Sequence, residues 1–266
     1  MPVEHLDVLI VGAGLSGVGA AYHLMKHCPG KSFALLEGRA AMGGTWDLFR
    51  YPGIRSDSDM FTLGYNFKPW SDPKAIADGP SIRRYIEETA RENGIDRKIR
   101  YRHRVLRADW DSANARWNLD VQRGDEPEPL RMTAQFLLMC TGYYRYEAGY
   151  TPEFVGREDF AGQVVHPQLW PEDLDYSGKK VVVIGSGATA VTLVPSLTDK
   201  AAHVTMLQRS PSYVITLPQK DAISNFLRRF LPETWIYRQA RARNVAMQMV
   251  FFMLARTFPG LVRKAL

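Results

Sequence analysis

The sequence has 266 residues, enough for two domains, with 45% apolar and 23% charged residues and a formal net charge of +6. This composition predicts a soluble globular protein and argues against a disordered tail, and the modest charge suits anionic cofactors without indicating nucleic acid. Cys28 and Cys140 lie far apart and no Cys-x-x-Cys occurs. We therefore predict no metal site, no redox dithiol and a reducing, cytoplasmic setting.

The first predicted element is a buried strand over residues 6–11, followed by the turn G-x-G-x-x-G and a helix over 18–25. The glycines permit a tight turn, close approach of a pyrophosphate to the backbone, and close packing of helix on strand. The next strand, 32–36, ends at Glu37, where a carboxylate accepts hydrogen bonds from ribose hydroxyls. This context predicts dinucleotide binding rather than a purely structural turn; the glycines are Gly12, Gly14 and Gly17.

A loop over residues 43–57 contains Gly-Gly-Thr-Trp and a Pro-Gly turn. Trp46 and Tyr51 are unusual for a plain solvated turn. We therefore favour a loop that faces a flavin over an ordinary surface loop.

Further along, the pattern predicts a helix over 81–93 with Ser81 as N-cap, a strand over 99–105 and a hairpin turning at 111–115. A buried strand over 136–140 then ends at Thr-Gly. A small backbone turn at that point leaves room for a cofactor.

A second strand, 180–184, enters Gly-Ser-Gly-Ala-Thr-Ala, and the strand that follows it ends at Arg209. Arg209 holds the place that Glu37 holds in the first unit. A carboxylate there suits FAD or NAD, whereas a guanidinium binds the 2′-phosphate of NADP. We prefer this role for Arg209 over that of one more surface arginine.

The last part of the chain predicts helices over 223–230 and 233–258, with prolines at the breaks. Apolar residues gather on one side and arginines on the other. We favour a core-packing helix with a solvated basic face, and keep peripheral contact with a membrane or a partner through 221–266 as an alternative. We expect no transmembrane segment.

With its G-G-T-W, Y-P-G-x-x-S-D and F-x-G-x-x-x-H-x-x-x-W-P motifs, the whole chain resembles the class B flavoprotein monooxygenases. The W-P ending resembles the Baeyer–Villiger branch, and the run 43–60 is similar to the ethionamide-activating monooxygenase group. This resemblance implies that NADPH reduces bound FAD. It also implies that one oxygen atom of O2 is then inserted into a ketone or added to sulfur.

The resemblance also implies roles for single residues. Asp57 and His166 are the predicted catalytic residues: Asp57 supports an active-site arginine near the nicotinamide, and His166, with Trp170, couples the two units. Glu37 would hold the FAD ribose and Val105 would meet the adenine. Further cofactor contacts implied in the first half are Gly12, Gly14, Ser16, Gly17, Gly44, Thr45, Trp46, Asp47, Leu48, Arg55, Ser56 and Asp57. Those implied for NADP are Gly185, Ser186, Gly187, Ala188, Thr189, Ala190, Gln208 and Arg209.

The sequence thus predicts an α/β fold with two Rossmann-like dinucleotide-binding units, for FAD and NADP, and a C-terminal helical segment. The predicted parts are an FAD-binding segment 1–146, a connecting loop 147–176 and an incomplete NADP-binding segment 177–266. Members of the resembling family are about twice as long, so we expect an N-terminal fragment that binds FAD weakly and lacks the active-site arginine. Alternatives are an oxygenase of nitrogen and sulfur compounds and a non-catalytic nucleotide-binding remnant.

Overall fold

The computed structural model describes residues 3–210, 214 and 218–265; the predicted segment limits at residues 1 and 266 lie outside them. The chain divides into two compact units, Met1–Arg50 with Pro80–Trp170 and Tyr51–Gly79 with Pro171–Leu266. Residues 51–79 therefore pack with the C-terminal part, although the sequence analysis counted them in the FAD-binding segment. Which cofactor each unit binds stays a prediction at this point.

The first unit is built on a six-stranded sheet in the order β3-β2-β1-β6-β5-β4. β1 lies between β2 and β6 and is parallel to both, while β4, β5 and β6 form an antiparallel meander. Leu9 and Ile10 of β1 are fully buried, as expected for a central strand covered on both faces. The strands are Glu4–Val11 (β1), Phe33–Leu36 (β2), Ile99–Arg100 (β3), His103–Asp111 (β4), Arg116–Arg123 (β5) and Leu130–Met139 (β6).

Three helices accompany this sheet: α1 (Leu15–His27), the single turn α2 (Thr45–Leu48) and α4 (Gly79–Glu92). α1 begins three residues before its predicted start, because Gly14 is the N-cap and Val18 N donates to Gly14 O at 3.1 Å. α4 begins at Gly79, so Ser81 lies inside the first turn and is not the N-cap. Pro80 explains the earlier start, since proline is favoured in the first turn of a helix.

The predicted strand over 99–105 is wrong in one respect, because it is two strands separated by a turn. Arg102 has a φ of 55°, a left-handed conformation that breaks an extended chain. β3 pairs parallel with β2, whereas β4 pairs antiparallel with β5. The predicted hairpin is confirmed: Asp111 accepts from the backbone N–H of Ala113 and Asn114 in its turn.

The second unit contains a parallel pair of strands, β7 (Lys180–Ile184) and β8 (His203–Leu207), connected by α5 (Ala188–Leu197). Its remaining helices are α3 (Met60–Leu63), α6 (Ala222–Leu227), α7 (Glu233–Thr257) and α8 (Pro259–Ala265). The single-turn helix α2 was predicted as loop, because four residues are too few to show a helical period.

The two halves of α7 differ in their surroundings. Ile236, Tyr237 and Ala240 are buried, and the Tyr237 hydroxyl donates to Tyr65 O at 2.8 Å. Arg241 donates to Phe61 O and Gly64 O, which satisfies carbonyls at the end of α3. The predicted core packing is therefore correct for the first half. The second half is exposed on all sides over Met247, Met249, Val250, Phe251, Phe252, Met253 and Leu254.

None of the helices within residues 3–210 and 218–265 combines the length and hydropathy needed to cross a membrane.

Candidate functional site

The first glycine turn has the geometry that its sequence predicts. Gly12 has a φ of 106°, and its N–H donates to Leu36 O, at the end of β2, at 2.8 Å. A Cβ on Gly12 would lie 2.4 Å from Cys140 O, and a Cβ on Gly17 would lie 2.0 Å from Gly12 O. Strand, turn and helix therefore approach so closely that only glycine fits at these two positions.

Glu37 lies where β2 ends and is 5% exposed. Its two carboxylate oxygens accept hydrogen bonds from Ala13 N at 2.9 Å and Arg39 N at 3.0 Å. Each oxygen keeps a further lone pair, so the fixed carboxylate can still accept a ribose hydroxyl. The backbone thus orients Glu37 at the glycine turn, as the sequence analysis expected.

The turn and Glu37 open on a cavity of about 640 Å³ in the first unit. Its wall also contains the Thr-Gly turn after β6, where a cofactor was expected. Of the residues predicted to contact a cofactor, those that line the cavity are Gly12, Gly14, Ser16, Glu37, Gly44, Thr45, Trp46, Leu48 and Val105.

Gly14 and Gly44 lie against each other in the cavity wall. A Cβ on Gly44, whose φ is 57°, would lie 3.1 Å from Gly14 Cα and 3.3 Å from the Tyr146 hydroxyl oxygen. The backbone of the first glycine turn, at Gly14, therefore packs against the backbone at Gly44. The space left by the missing side chains is the kind of cradle that admits a pyrophosphate to backbone N–H groups, so the residues present fit a dinucleotide.

Arg39 and Tyr146 line the same cavity and were missed by the sequence analysis. The Arg39 guanidinium lies 5.8 Å from the centre of the Tyr146 ring, within the range of a cation–π contact. Burial raises the pKa of Tyr146, whose hydroxyl hydrogen-bonds the Thr45 side chain. The one sign of this contact in the sequence was Arg39 itself, two residues after Glu37, and the sequence does not distinguish it from a surface arginine.

Asp47 lies behind the cavity wall rather than on it, and its side chain is 6% exposed. Its carboxylate pairs with three guanidinium groups, those of Arg39 at 2.6 Å, Arg50 at 2.9 Å and Arg83 at 3.2 Å. Arg39 also donates to Gly44 O. Asp47 therefore holds the Gly44–Leu48 segment in place, and Gly17 likewise acts from behind the wall.

The predicted residues of the Y-P-G-x-x-S-D motif lie in the second unit. The Ser56 N–H donates to Ala77 O at 2.9 Å, and Arg55 forms a bridge with Asp78. Asp57 is exposed. Tyr51, which was grouped with Trp46 as facing a flavin, is instead buried against α5.

His166 lies in the first unit and does not line the cavity. Its Nδ1 accepts from Gln168 N at 3.2 Å, which leaves the proton of a neutral ring on Nε2. The buried Gln168 side chain donates to Arg145 O, in the cavity wall, at 2.6 Å. The loop that carries the F-x-G-x-x-x-H-x-x-x-W-P motif, residues 160–171, is called the fingerprint loop. It is thereby tied to the cavity wall through Gln168, a residue that sequence reasoning did not single out.

The second glycine turn repeats the geometry of the first. Gly185 has a φ of 130° and donates to Leu207 O, at the end of β8, at 2.9 Å. Gly187 is the N-cap of α5, with φ −76° and ψ −179°, as Gly14 is that of α1 with φ −82° and ψ −167°. The third position is Ala190, which is buried. Gln208 and the exposed Arg209 follow β8 as Glu37 follows β2.

These strands and turns define a protein of the Rossmann-like, dinucleotide-binding class, with two glycine turns of the same geometry. The model of the flavin-binding monooxygenase-like family matches residues 71–228, which is more than half of the chain. A model of an NAD(P)-binding Rossmann-like domain matches residues 10–72. The chain belongs to the flavin-binding monooxygenase-like family.

Similar proteins include two described as FAD-containing monooxygenase EthA. The one from Mycolicibacterium smegmatis is 58% identical over 99% of this chain and 53% of its own length. The one from Mycobacterium tuberculosis is 56% identical over 98% of this chain and 53% of its own length. The chain therefore spans about half the length of these curated relatives.

Two solved structures have a similar fold. A steroid monooxygenase bound to NADP has a TM-score of 0.73 and 31% identity, over 88% of this chain and 43% of that one. The OTEMO complex with FAD and NADP has a TM-score of 0.67 and 29% identity, over 79% and 40%.

Proposed function

We propose that this chain supplies the FAD- and NADP-binding part of an NADPH-dependent monooxygenase of Baeyer–Villiger type. The observation that carries the proposal is a pair of glycine turns of matched geometry whose neighbouring strands end in opposite charges, Glu37 and Arg209. A carboxylate repels a 2′-phosphate and suits FAD, whereas a guanidinium attracts it and suits NADP. The similar OTEMO structure is a complex with both FAD and NADP, which supports a proposal of two different dinucleotides.

In the proposed reaction, NADPH supplies two electrons, one atom of O2 enters a ketone to give an ester or lactone, and the other atom leaves as water. Bound flavin supplies the chemistry that activates O2. The chain's own residues bind and orient the nucleotides. The first turn of α1 would offer free N–H groups to the pyrophosphate, and Glu37 would accept a hydrogen bond from the ribose. Thr45, Trp46 and Leu48 line the cavity that would hold the flavin. Sulfur compounds are a second proposed class of substrate.

We also propose that Asp57 and His166 serve this reaction, Asp57 near the nicotinamide and His166 as an anchor of the fingerprint loop. The Nδ1 hydrogen bond of His166 supports the anchoring role. The reaction is proposed to take place in the cytoplasm.

The 221–266 segment is proposed to touch a membrane surface, which the exposed Met and Phe side chains of α7 support. Co-sedimentation with anionic vesicles tests this contact, and protein that stays in the supernatant would refute it.

The test of the function uses a chimera that joins this chain to the C-terminal half of the M. smegmatis relative. We expect flavin absorbance in the purified protein and oxidation of NADPH in the presence of a ketone. A chimera that oxygenates only amines or sulfides would favour the nitrogen- and sulfur-oxygenating alternative. A chimera that binds nucleotides without consuming NADPH would favour a non-catalytic remnant.

Arg209→Ala in this chimera is expected to weaken NADPH binding by about 1–3 kcal/mol, because a charge-assisted hydrogen bond to the 2′-phosphate is lost. NADH, which lacks that phosphate, should bind nearly as before. Michaelis constants for both nucleotides measure the difference. Arg131→Ala is the control, since that side chain is 81% exposed in the first unit. An equal loss for NADPH and NADH would sink the assignment.

A further inference from the structure

The Tyr51–Gly53 segment packs directly on α5, the helix that follows the second glycine turn. Tyr51 is 5% exposed, and its hydroxyl hydrogen-bonds the side chains of Thr189 and Thr192. The Thr192 hydroxyl already donates its one proton to Ala188 O. The Tyr51 hydroxyl therefore donates to Thr192 and accepts from Thr189.

Gly53 brings the backbone of this segment against the same helix. Its φ is 78°, and a Cβ there would lie 2.0 Å from Ser196 Oγ and 2.9 Å from Thr192 O. Both the left-handed conformation and the close approach require glycine. The segment is thus fixed to α5 at two points, by a phenol near the start of the helix and by a glycine one turn further along.

The contact matters because of what the start of α5 is built to do. Ala188, Thr189 and Ala190 form its first turn, where free N–H groups are available to phosphate oxygens. Pro195 removes one backbone donor from this ten-residue helix, so the helix depends more on side-chain support. Burial raises the pKa of Tyr51, which keeps the phenol protonated and able to donate in the neutral range.

We propose that Tyr51 is a positioning residue for the NADP-binding turn, through its hydrogen bonds to Thr189 and Thr192. It would hold the first turn of α5 in the orientation that receives the pyrophosphate. The proposal rests on the proposed function, in which NADP occupies the second turn. The sequence predicted that Tyr51 faces a flavin, whereas the proposed role serves the binding of the nicotinamide nucleotide.

The test compares Tyr51→Phe with unchanged protein in the FAD-loaded chimera. Tyr51→Phe removes the hydrogen bonds to Thr189 and Thr192. Their loss is expected to raise the Kd for NADP⁺ and the KM for NADPH about three- to tenfold. The kcat and the Kd for FAD should stay the same. Tyr150→Phe is the control, because Tyr150 is 88% exposed. A merely structural role would lower the melting temperature and weaken FAD and NADPH together, which would overturn the proposal.

A second variant keeps the test decisive if Tyr51→Phe does not fold. Thr189→Val removes the hydroxyl on the other side of the contact and should raise the KM for NADPH by a similar factor. Where both variants fold, the double variant should be no worse than Tyr51→Phe alone, because Tyr51→Phe already removes the hydrogen bond that Thr189→Val removes. Additive effects, or an unchanged KM in Thr189→Val, would contradict the proposal.

The outcomes also separate this proposal from the proposed function. If Arg209→Ala weakens NADPH while Tyr51→Phe and Thr189→Val do not, only the positioning role fails. If Arg209→Ala has no effect on NADPH either, NADP does not use the second turn, and both proposals fail.

Discussion

Replacing Gly17 with alanine is expected to destabilise the first unit and abolish FAD binding. The new Cβ would lie 2.0 Å from Gly12 O and 3.0 Å from its carbonyl carbon. Both atoms belong to the backbone and cannot move aside without opening the helix–strand contact. Overpacking of this kind costs about 1–3 kcal/mol, and more where the surroundings cannot relax. Urea unfolding followed by circular dichroism, together with titration of FAD, measures both effects in the chimera.

Gly30→Ala is the matched control for this change. A Cβ on Gly30 would have no atom within 4 Å, so the free energy of unfolding should stay within about 0.5 kcal/mol of the original. If Gly17→Ala and Gly30→Ala behave alike, the close packing of α1 on β1 is not what the first turn depends on.

Asp47→Asn is expected to destabilise the first unit by a similar amount, although the side chain lies behind the cavity wall. It would leave the guanidinium groups of Arg39, Arg50 and Arg83 without their shared buried carboxylate. Breaking a buried ion pair by removing one partner costs about 3–5 kcal/mol. We expect the lower end, about 3 kcal/mol, because the arginines are partly exposed and water screens their repulsion. FAD affinity should fall as well, since the Gly44–Leu48 segment loses its anchor.

Asp109→Asn tests whether burial is the reason for the loss of stability in Asp47→Asn. Asp109 pairs with Arg107 at 2.6 Å, but the two side chains are 54% and 70% exposed. An exposed pair of this kind contributes at most about 1 kcal/mol. Equal losses for Asp47→Asn and Asp109→Asn, measured by the same unfolding curves, would show that the Asp47 cluster is not a structural centre.

The parts of the site that sequence predicted are those governed by local rules. Gly12, Gly17 and Glu37 were found because each has one steric or hydrogen-bonding task at a fixed distance from a strand end. The same rule found Gly185 and its parallel pair of strands. Composition and spacing are sufficient there, because the turn is formed within one βα unit.

The parts that sequence missed depend on contacts between distant segments. Tyr51 follows Trp46 closely in sequence, yet it packs on α5 in the second unit, more than a hundred residues later. Asp47 was predicted as a cofactor contact, and its place behind the cavity wall follows only when folding brings Arg83 beside it. Tyr146 was treated as the limit of a segment, and its place in the cavity wall follows from the course of the chain after β6.

Monooxygenase activity of the Baeyer–Villiger type is tested by giving the chimera a ketone, NADPH and isotopically heavy O2 and examining the product by mass spectrometry. We predict an ester or lactone that carries one heavy oxygen atom, formed as NADPH is consumed and in much smaller amount with Arg209→Ala. A flavin-loaded chimera that yields no labelled product, or that turns over equally well with NADH, would contradict this prediction.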